Sequence, residues 1–201
     1  MRLLVCVCLL TFSIASVHAQ EAVVSHARFS RGASELEILG GVICSIDAGK
    51  PSKPTINFAQ ETVRFGLMLT APRTIGWFPG NTELLLEAFG GEIYTDVGTA
   101  VLGANLVLRR NFLFRNSIFV PYAQAGGGGA WSDVARTEWQ GILGSEWNFS
   151  LSFGLGVRVL LSDRCSLLLE HDAVHLSNAG SSDRNHGLNS LGGQIGLAYS
   201  F

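Results

Sequence analysis

The sequence predicts an all-β fold, an eight-stranded antiparallel transmembrane β-barrel, on three observations. The chain is apolar, with 47% hydrophobic and 15% charged residues, where soluble proteins carry about 25% charge. After residue 19 it holds no stretch of the roughly 18 apolar residues that a membrane helix requires. Several segments alternate apolar with small or polar residues at a period of two, the pattern of a wall with lipid on one side and a polar lumen on the other.

Taken in order, the first nineteen residues read as a signal peptide. Arg2 gives a short positive start, Leu3 to Val17 is mostly apolar, and Val17-His18-Ala19 precedes an expected cleavage before Gln20. Cys6 and Cys8 fall inside this segment, outside any lipoprotein pattern. Residues 20–201 then form one outer-membrane barrel domain. The eight strands are expected at about 35–46, 55–70, 83–95, 98–110, 117–130, 149–161 and 165–177, with a last one opening near Asn189 and ending on Phe201. The clearest is 149–161. Phe149, Leu151, Phe153, Leu155, Val157, Val159 and Leu161 occupy one face, against Ser150, Ser152, Gly154, Gly156, Arg158 and Leu160 on the other. The last strand repeats this with Leu191, Ile195, Leu197, Tyr199 and Phe201. In 83–95 the carboxylates Glu83 and Glu87 share a face with Phe89 and would point inward. Pro121 must sit where no ladder donor is needed. Gly126 to Gly129 fit strong bending or close packing.

With both termini in the periplasm, 47–54, 131–146 and 178–187 face outward and Ser162-Asp163-Arg164 makes a tight periplasmic turn. The connection 71–82 is longer than periplasmic turns usually are. Parity in 165–177 follows from charge. Glu170 and Asp172 share a face that a polar lumen tolerates and hydrocarbon does not. The opposite face, with His171, Ala173, His175 and Ser177, therefore looks toward lipid. Asn189 has the same outward parity at the start of the last strand. A base and a hydroxyl two residues apart on one strand face are the minimum set for a nucleophilic serine. Any one polar residue at a membrane rim is ordinarily structural; three converging are not what a passive barrel needs.

The run His175-Leu176-Ser177-Asn178-Ala179-Gly180, followed by Asn185-His186-Gly187-Leu188-Asn189, resembles the PagL family of outer-membrane lipid A 3-O-deacylases, also known as acyloxyacyl hydrolases. The strong match spans about 165–201. The resemblance implies an outer-membrane ester hydrolase acting on lipid A of lipopolysaccharide or a related glycolipid. It implies Ser177 as nucleophile, His175 as general base, and Asn178 with the backbone amides near Gly180 as oxyanion donors. The family carries glutamate fourteen residues after the histidine, where this chain has Asn189. An amide can still orient an imidazole but does not stabilise its cation. The corresponding change in a serine protease lowers kcat about ten-thousandfold, roughly 5.5 kcal/mol. Asp183 in the loop is the alternative acid; Glu170 and Asp172 project to the opposite face.

Other signals point elsewhere. His171 and His175 have helical zinc spacing, but a strand sets them roughly 13 Å apart, so no metal is expected. His26 and His186 are expected to be solvated. Trp77, Trp131, Trp139 and Trp147 flank strand ends, as an interfacial belt would. The glycine run lacks the companions of a phosphate loop, and two lysines, Lys50 and Lys53, leave no footprint for nucleic acid. Cys44 and Cys165 could form a disulfide in an oxidising compartment or remain free thiols. No cofactor is implied, and a homodimer is left open. Two competing classes stand beside the hydrolase: a non-catalytic small barrel of porin-like or adhesion type, and a soluble barrel that carries a ligand inside.

Overall fold

The computed structural model describes residues 26–46, 54–75, 78–95 and 97–201. The proposed signal peptide with Cys6 and Cys8, the lysines Lys50 and Lys53, Trp77 and the side chain of His26 lie outside the described residues. The chain forms β1 (Ser34–Ser45), β2 (Phe58–Met68), β3 (Arg73–Ile75), β4 (Phe78–Ile93), β5 (Ala100–Phe112), β6 (Phe119–Ser132), β7 (Trp147–Leu160), β8 (Cys165–Ser177) and β9 (Leu188–Ser200). All pairings are antiparallel. The sheet order is β2-β1-β9-β8-β7-β6-β5-β4, and pairing of β2 with β4 closes eight strands into a barrel. No helix among the described residues is long and apolar enough to cross a membrane. Closure pairs both edges of the eight barrel strands, as a lipid environment demands; β3 pairs with β4 alone.

Strand parity follows the predicted alternation. Phe149, Leu151, Phe153 and Leu155 on β7 are exposed, as are Ile195 and Leu197 on β9, while Arg158, Glu170 and Asp172 are buried inside. Two details differ from expectation. The long 71–82 connection is a small hairpin in which Arg73–Ile75 pairs with Phe78–Gly80, so its length is folded structure. Strand β4 accordingly begins five residues before the expected 83. Pro121 faces Val157 on β7 just past the end of the β5–β6 ladder, which stops at the Asn111–Tyr122 pair. Its missing N–H therefore breaks no bond on that side.

The lumen is filled in three layers. At the outer end an apolar cap gathers Ile43, Ile56, Phe58, Phe89, Ile93, Leu143 and Leu176. At the periplasmic end Phe29, Met68, Leu113 and Val120 form a second plug, held by the short 3-10 turn His26–Phe29. Its Arg28 donates to Ser166 Oγ at 3.0 Å and to the Ser162 carbonyl. Between the plugs runs a network of arginines and carboxylates. Arg64 reaches Glu87 at 2.6 Å, Glu170 at 2.7 Å and Glu37 at 3.4 Å. Arg109 pairs with Glu37 and lies 4.3 Å from the centre of the Tyr122 ring. Arg158 bonds Glu35 at 2.5 Å and Glu37 at 3.2 Å. Glu35, Glu37 and Glu83 lie close enough to share a cation, but these guanidinium groups already occupy the space between them. Cys44 and Cys165 are free and sit at opposite ends of the barrel, on the outer end of β1 and beside the 161–164 turn.

Glu37 touches all three arginines, so Glu37→Leu leaves buried cations short of a partner. Removing one member of such a set costs about 3–5 kcal/mol. Urea unfolding of the refolded barrel in lipid vesicles should show a lower midpoint; an unchanged midpoint would mean the network adds nothing to stability.

Candidate active site

The placement of the site begins with Leu176, which is 1% exposed and packed into the outer apolar cap. With Leu176 pinned inward, its neighbours His175 and Ser177 must point outward, because successive side chains of a strand alternate. Both are half-buried on the outer wall at the last turn of β8, flanked by Leu151 and Phe149 of β7. Across the β8–β9 ladder His175 stands opposite Asn189, and its Nδ1 lies 2.7 Å from Asn189 Oδ1. An oxygen acceptor requires Nδ1 to carry the proton, which leaves the Nε2 lone pair free. The Nε2–Cε1 edge of the ring points toward the rim. A methyl group at Gly187 would stand 2.8 Å from Cε1 and 3.5 Å from Nε2. Continuing the register one step sets Gly187 across from Ser177, so this edge of the ring lies at the level of the serine. Gly187 has φ +72°, a conformation that favours glycine, and its lack of a side chain leaves room for the imidazole.

His175 and Asn189 are thus brought together. Ser177 shares their face, and its hydroxyl makes no hydrogen bond among the described residues. A nucleophile–base bond is often long in a ligand-free site and tightens on binding. Asp183 is exposed on the loop, and Asn189 rather than Asp183 contacts the imidazole. Glu170 and Asp172 lie in the lumen, on the far side of the wall, as their parity requires.

The loop after Ser177 turns sharply. Ala179 and Gly180 both have positive φ, +52° and +82°, and a positive φ at a non-glycine residue is an uncommon, strained state. Asn178, buried, organises the turn. Its Oδ1 accepts from Gly180 N–H at 3.0 Å, its Nδ2 donates to the Arg184 carbonyl at 3.0 Å, and its own N–H donates to Asn185 Oδ1 at 3.0 Å. The Asn178 side chain and the Gly180 amide are therefore engaged within the loop. The Ala179 N–H has no partner among the described residues.

A second loop braces the first, and nothing in the sequence announced it. Buried Gln140 shapes the 133–146 segment, accepting from the N–H groups of Ile142 (2.7 Å) and Leu143 (3.0 Å) and donating to the Leu143 carbonyl at 2.6 Å. Arg184 then donates to the carbonyls of Ala135 (3.0 Å), Thr137 (2.9 Å) and Gln140 (3.3 Å). The amides of His186 and Gly187 donate to Gly141 and Ile142 carbonyls, both at 3.1 Å. The base of the brace is fixed by Asp133, whose carboxylate accepts from the Thr99 amide (2.8 Å), the Thr99 hydroxyl (2.5 Å) and the Ala100 amide (3.1 Å). His186 is exposed, Trp147 faces outward at the rim and Trp139 is exposed on the loop. His171 faces outward too, two outward steps below His175.

A depression of about 280 Å³ opens on the lipid-facing wall beside His175 and Asn189, walled by Ile46, Leu151, Phe153, Ala173 and Leu191. A larger one, about 830 Å³, lies on the opposite wall around Gly40, Ala88 and Gly90 but contains no serine–histidine pair. The smaller depression is the one next to chemistry.

A family model for lipid A 3-O-deacylase (PagL) matches residues 58–198, which include β8, the loop after it and β9 as far as Ala198. The chain belongs to the PagL family. It is an integral outer-membrane barrel. The crystal structure of the outer membrane enzyme PagL superposes with a TM-score of 0.56 at 18% identity, over 81% of this chain and 97% of that one. Neisserial surface protein A gives 0.60 at 12% identity, over 85% of this chain and 100% of that one. The N-terminal barrel of Pseudomonas aeruginosa OprF gives 0.51 at 14%, over 85% and 98%. At these identities the structures speak for the fold; the family match speaks for membership. No curated protein sequence matches. Asn189 occupies the place where the resemblance implies an acid, and its Oδ1 contacts the histidine.

Arg184→Ala removes the clamp between the two loops while leaving every strand intact. Limited trypsin or chymotrypsin digestion of the folded barrel should cut within 133–146 or 178–187 at least about tenfold faster, since a lost set of such bonds corresponds to roughly 1–3 kcal/mol of local opening. Unchanged protection would show that the apolar cap alone holds the loops.

Proposed function

We propose that this protein removes an ester-linked acyl chain from lipid A or a related glycolipid in the outer leaflet, with Ser177 as nucleophile and His175 as base. The observation that supports this reading is the His175–Asn189 contact on the outer wall, Nδ1 to Oδ1 at 2.7 Å. With Nδ1 donating to that oxygen, Nε2 is the nitrogen left to act as base, and its edge of the ring lies beside Gly187, across from Ser177. Family membership supports the substrate class.

In this mechanism a lipid reaches the outer wall by lateral diffusion, since both ends of the lumen are plugged. One acyl chain lies in the apolar depression beside Leu151, Phe153 and Leu191, which places its ester near the rim. Ser177 Oγ attacks the carbonyl carbon as His175 Nε2 takes the hydroxyl proton. The oxyanion is met by the Ala179 N–H, the first unengaged amide after the nucleophile; a donor of this kind lowers the barrier by about 3–4 kcal/mol. Collapse breaks the bond to the sugar oxygen, which receives the proton from Nε2. Water, deprotonated by the same nitrogen, then releases the fatty acid from Ser177. Asn189 steadies the imidazole but offers no charge to the imidazolium, so turnover is slower than an acid would give.

Two substitutions test this directly. Ser177→Ala should abolish deacylation, and Asn189→Glu should raise it, by up to about 10³–10⁴-fold if the added carboxylate restores a full triad. Mass spectrometry of lipid A from cells producing each form reads the loss of one acyl chain. If wild type and Asn189→Glu both match cells with empty vector while the barrel is folded, the hydrolase reading is wrong.

A further inference from the structure

At the periplasmic end of the barrel the described residues of the β3–β4 hairpin contact β5. The hairpin leans on the lipid-facing side of that strand. Phe78 meets Phe112, an outward residue of β5, edge to face with ring centres 5.7 Å apart. Arg110, also outward, donates from Nη2 to the carbonyls of Arg73 at 3.2 Å and Phe78 at 3.4 Å. A depression of about 310 Å³ results, lined by Pro72, Arg73, Thr74, Gly80, Leu113 and Arg115.

Arg64, Arg109, Arg136 and Arg158 all pair with carboxylates. Arg73, Arg110 and Arg115, like Arg28, Arg31, Arg164 and Arg184, pair with no carboxylate among the described residues. Arg73 and Arg115 are exposed and line the same depression from two different turns; Arg110 adds a third positive charge beneath the hairpin. Around them Ile75, Phe78, Phe114 and Phe119 are exposed and apolar. Cations ringed by apolar side chains at the end of a transmembrane strand lie at headgroup depth, where long basic side chains reach the interface. Two arginines lining one depression offer the donors that phosphate needs, which arginine binds through paired hydrogen bonds.

We propose that Arg73 and Arg115 bind the phosphate of an anionic phospholipid in the periplasmic leaflet, with Arg110 holding the hairpin that completes the site. The exposed Ile75 and Phe78 rest among that leaflet's chains. The site is on the opposite end of the barrel from Ser177 and is independent of the hydrolase reading.

The test uses the refolded mature barrel in detergent, mixed with equal amounts of phosphatidylglycerol and phosphatidylcholine and examined by native mass spectrometry. Wild type should retain phosphatidylglycerol over phosphatidylcholine by roughly tenfold or more, and millimolar inorganic phosphate should not strip it. The double variant Arg73→Gln/Arg115→Gln should fall to near parity. Arg31→Gln, which removes an exposed cation at the same end but away from the depression, should keep the preference. Equal retention by wild type and double variant would overturn the proposal. Equal loss in Arg31→Gln would reduce it to general charge attraction, and displacement by inorganic phosphate would make it a free-anion site; either overturns it. Heat-modifiable mobility on gels verifies that every form is a closed barrel.

Discussion

Three guanidinium groups, those of Arg64, Arg109 and Arg158, fix which side of six of the eight barrel strands is inside. They come from β2, β5 and β7 and converge on Glu35 and Glu37 of β1, Glu87 of β4 and Glu170 of β8. A slip of one residue in any of these pairings would turn a charged side chain into hydrocarbon, at a cost of several kcal/mol. The lumen therefore sets the parity of the wall, and the parity of the wall sets the site. His175 and Ser177 face lipid because Glu170 and Asp172 on the same strand cannot.

Much of this architecture was legible in the chain. The alternation in 149–161 and 189–201 is strong because both faces are constrained, one by lipid and one by a crowded interior. The inward placement of Glu83, Glu87, Glu170 and Asp172 followed from charge alone. What was not legible depends on closure. Arg64 and Glu170 are 106 positions apart, and only the circular sheet makes them neighbours. The hairpin at 73–80 was hidden because three residues of strand give no period to detect.

The site divides along the same line. His175, Ser177 and Asn189 could be read from strand parity and spacing, because a ladder turns sequence separation into position. The supporting parts could not. Arg184 is a lone cation in a polar loop, and its carbonyl partners at Ala135, Thr137 and Gln140 leave no trace in side-chain identity. Gly187 carried a weak hint, a glycine directly before a strand, but its role appears only when the imidazole is seen against it. The expected oxyanion donors shift for a similar reason. Asn178 and Gly180 bond to one another across the turn, a local pairing that asparagine readily makes.

Ser177 ends its strand, and for the proposed acyl-serine that height has a chemical consequence. An acyl-serine formed at the barrel's waist would be surrounded by hydrocarbon and would persist as a spent adduct, with nothing to hydrolyse it. At the rim one flank of the same atom meets fatty tails and the other meets the wet underside of the loops. A reaction that needs a greasy substrate first and a solvent molecule second can cycle only at that boundary.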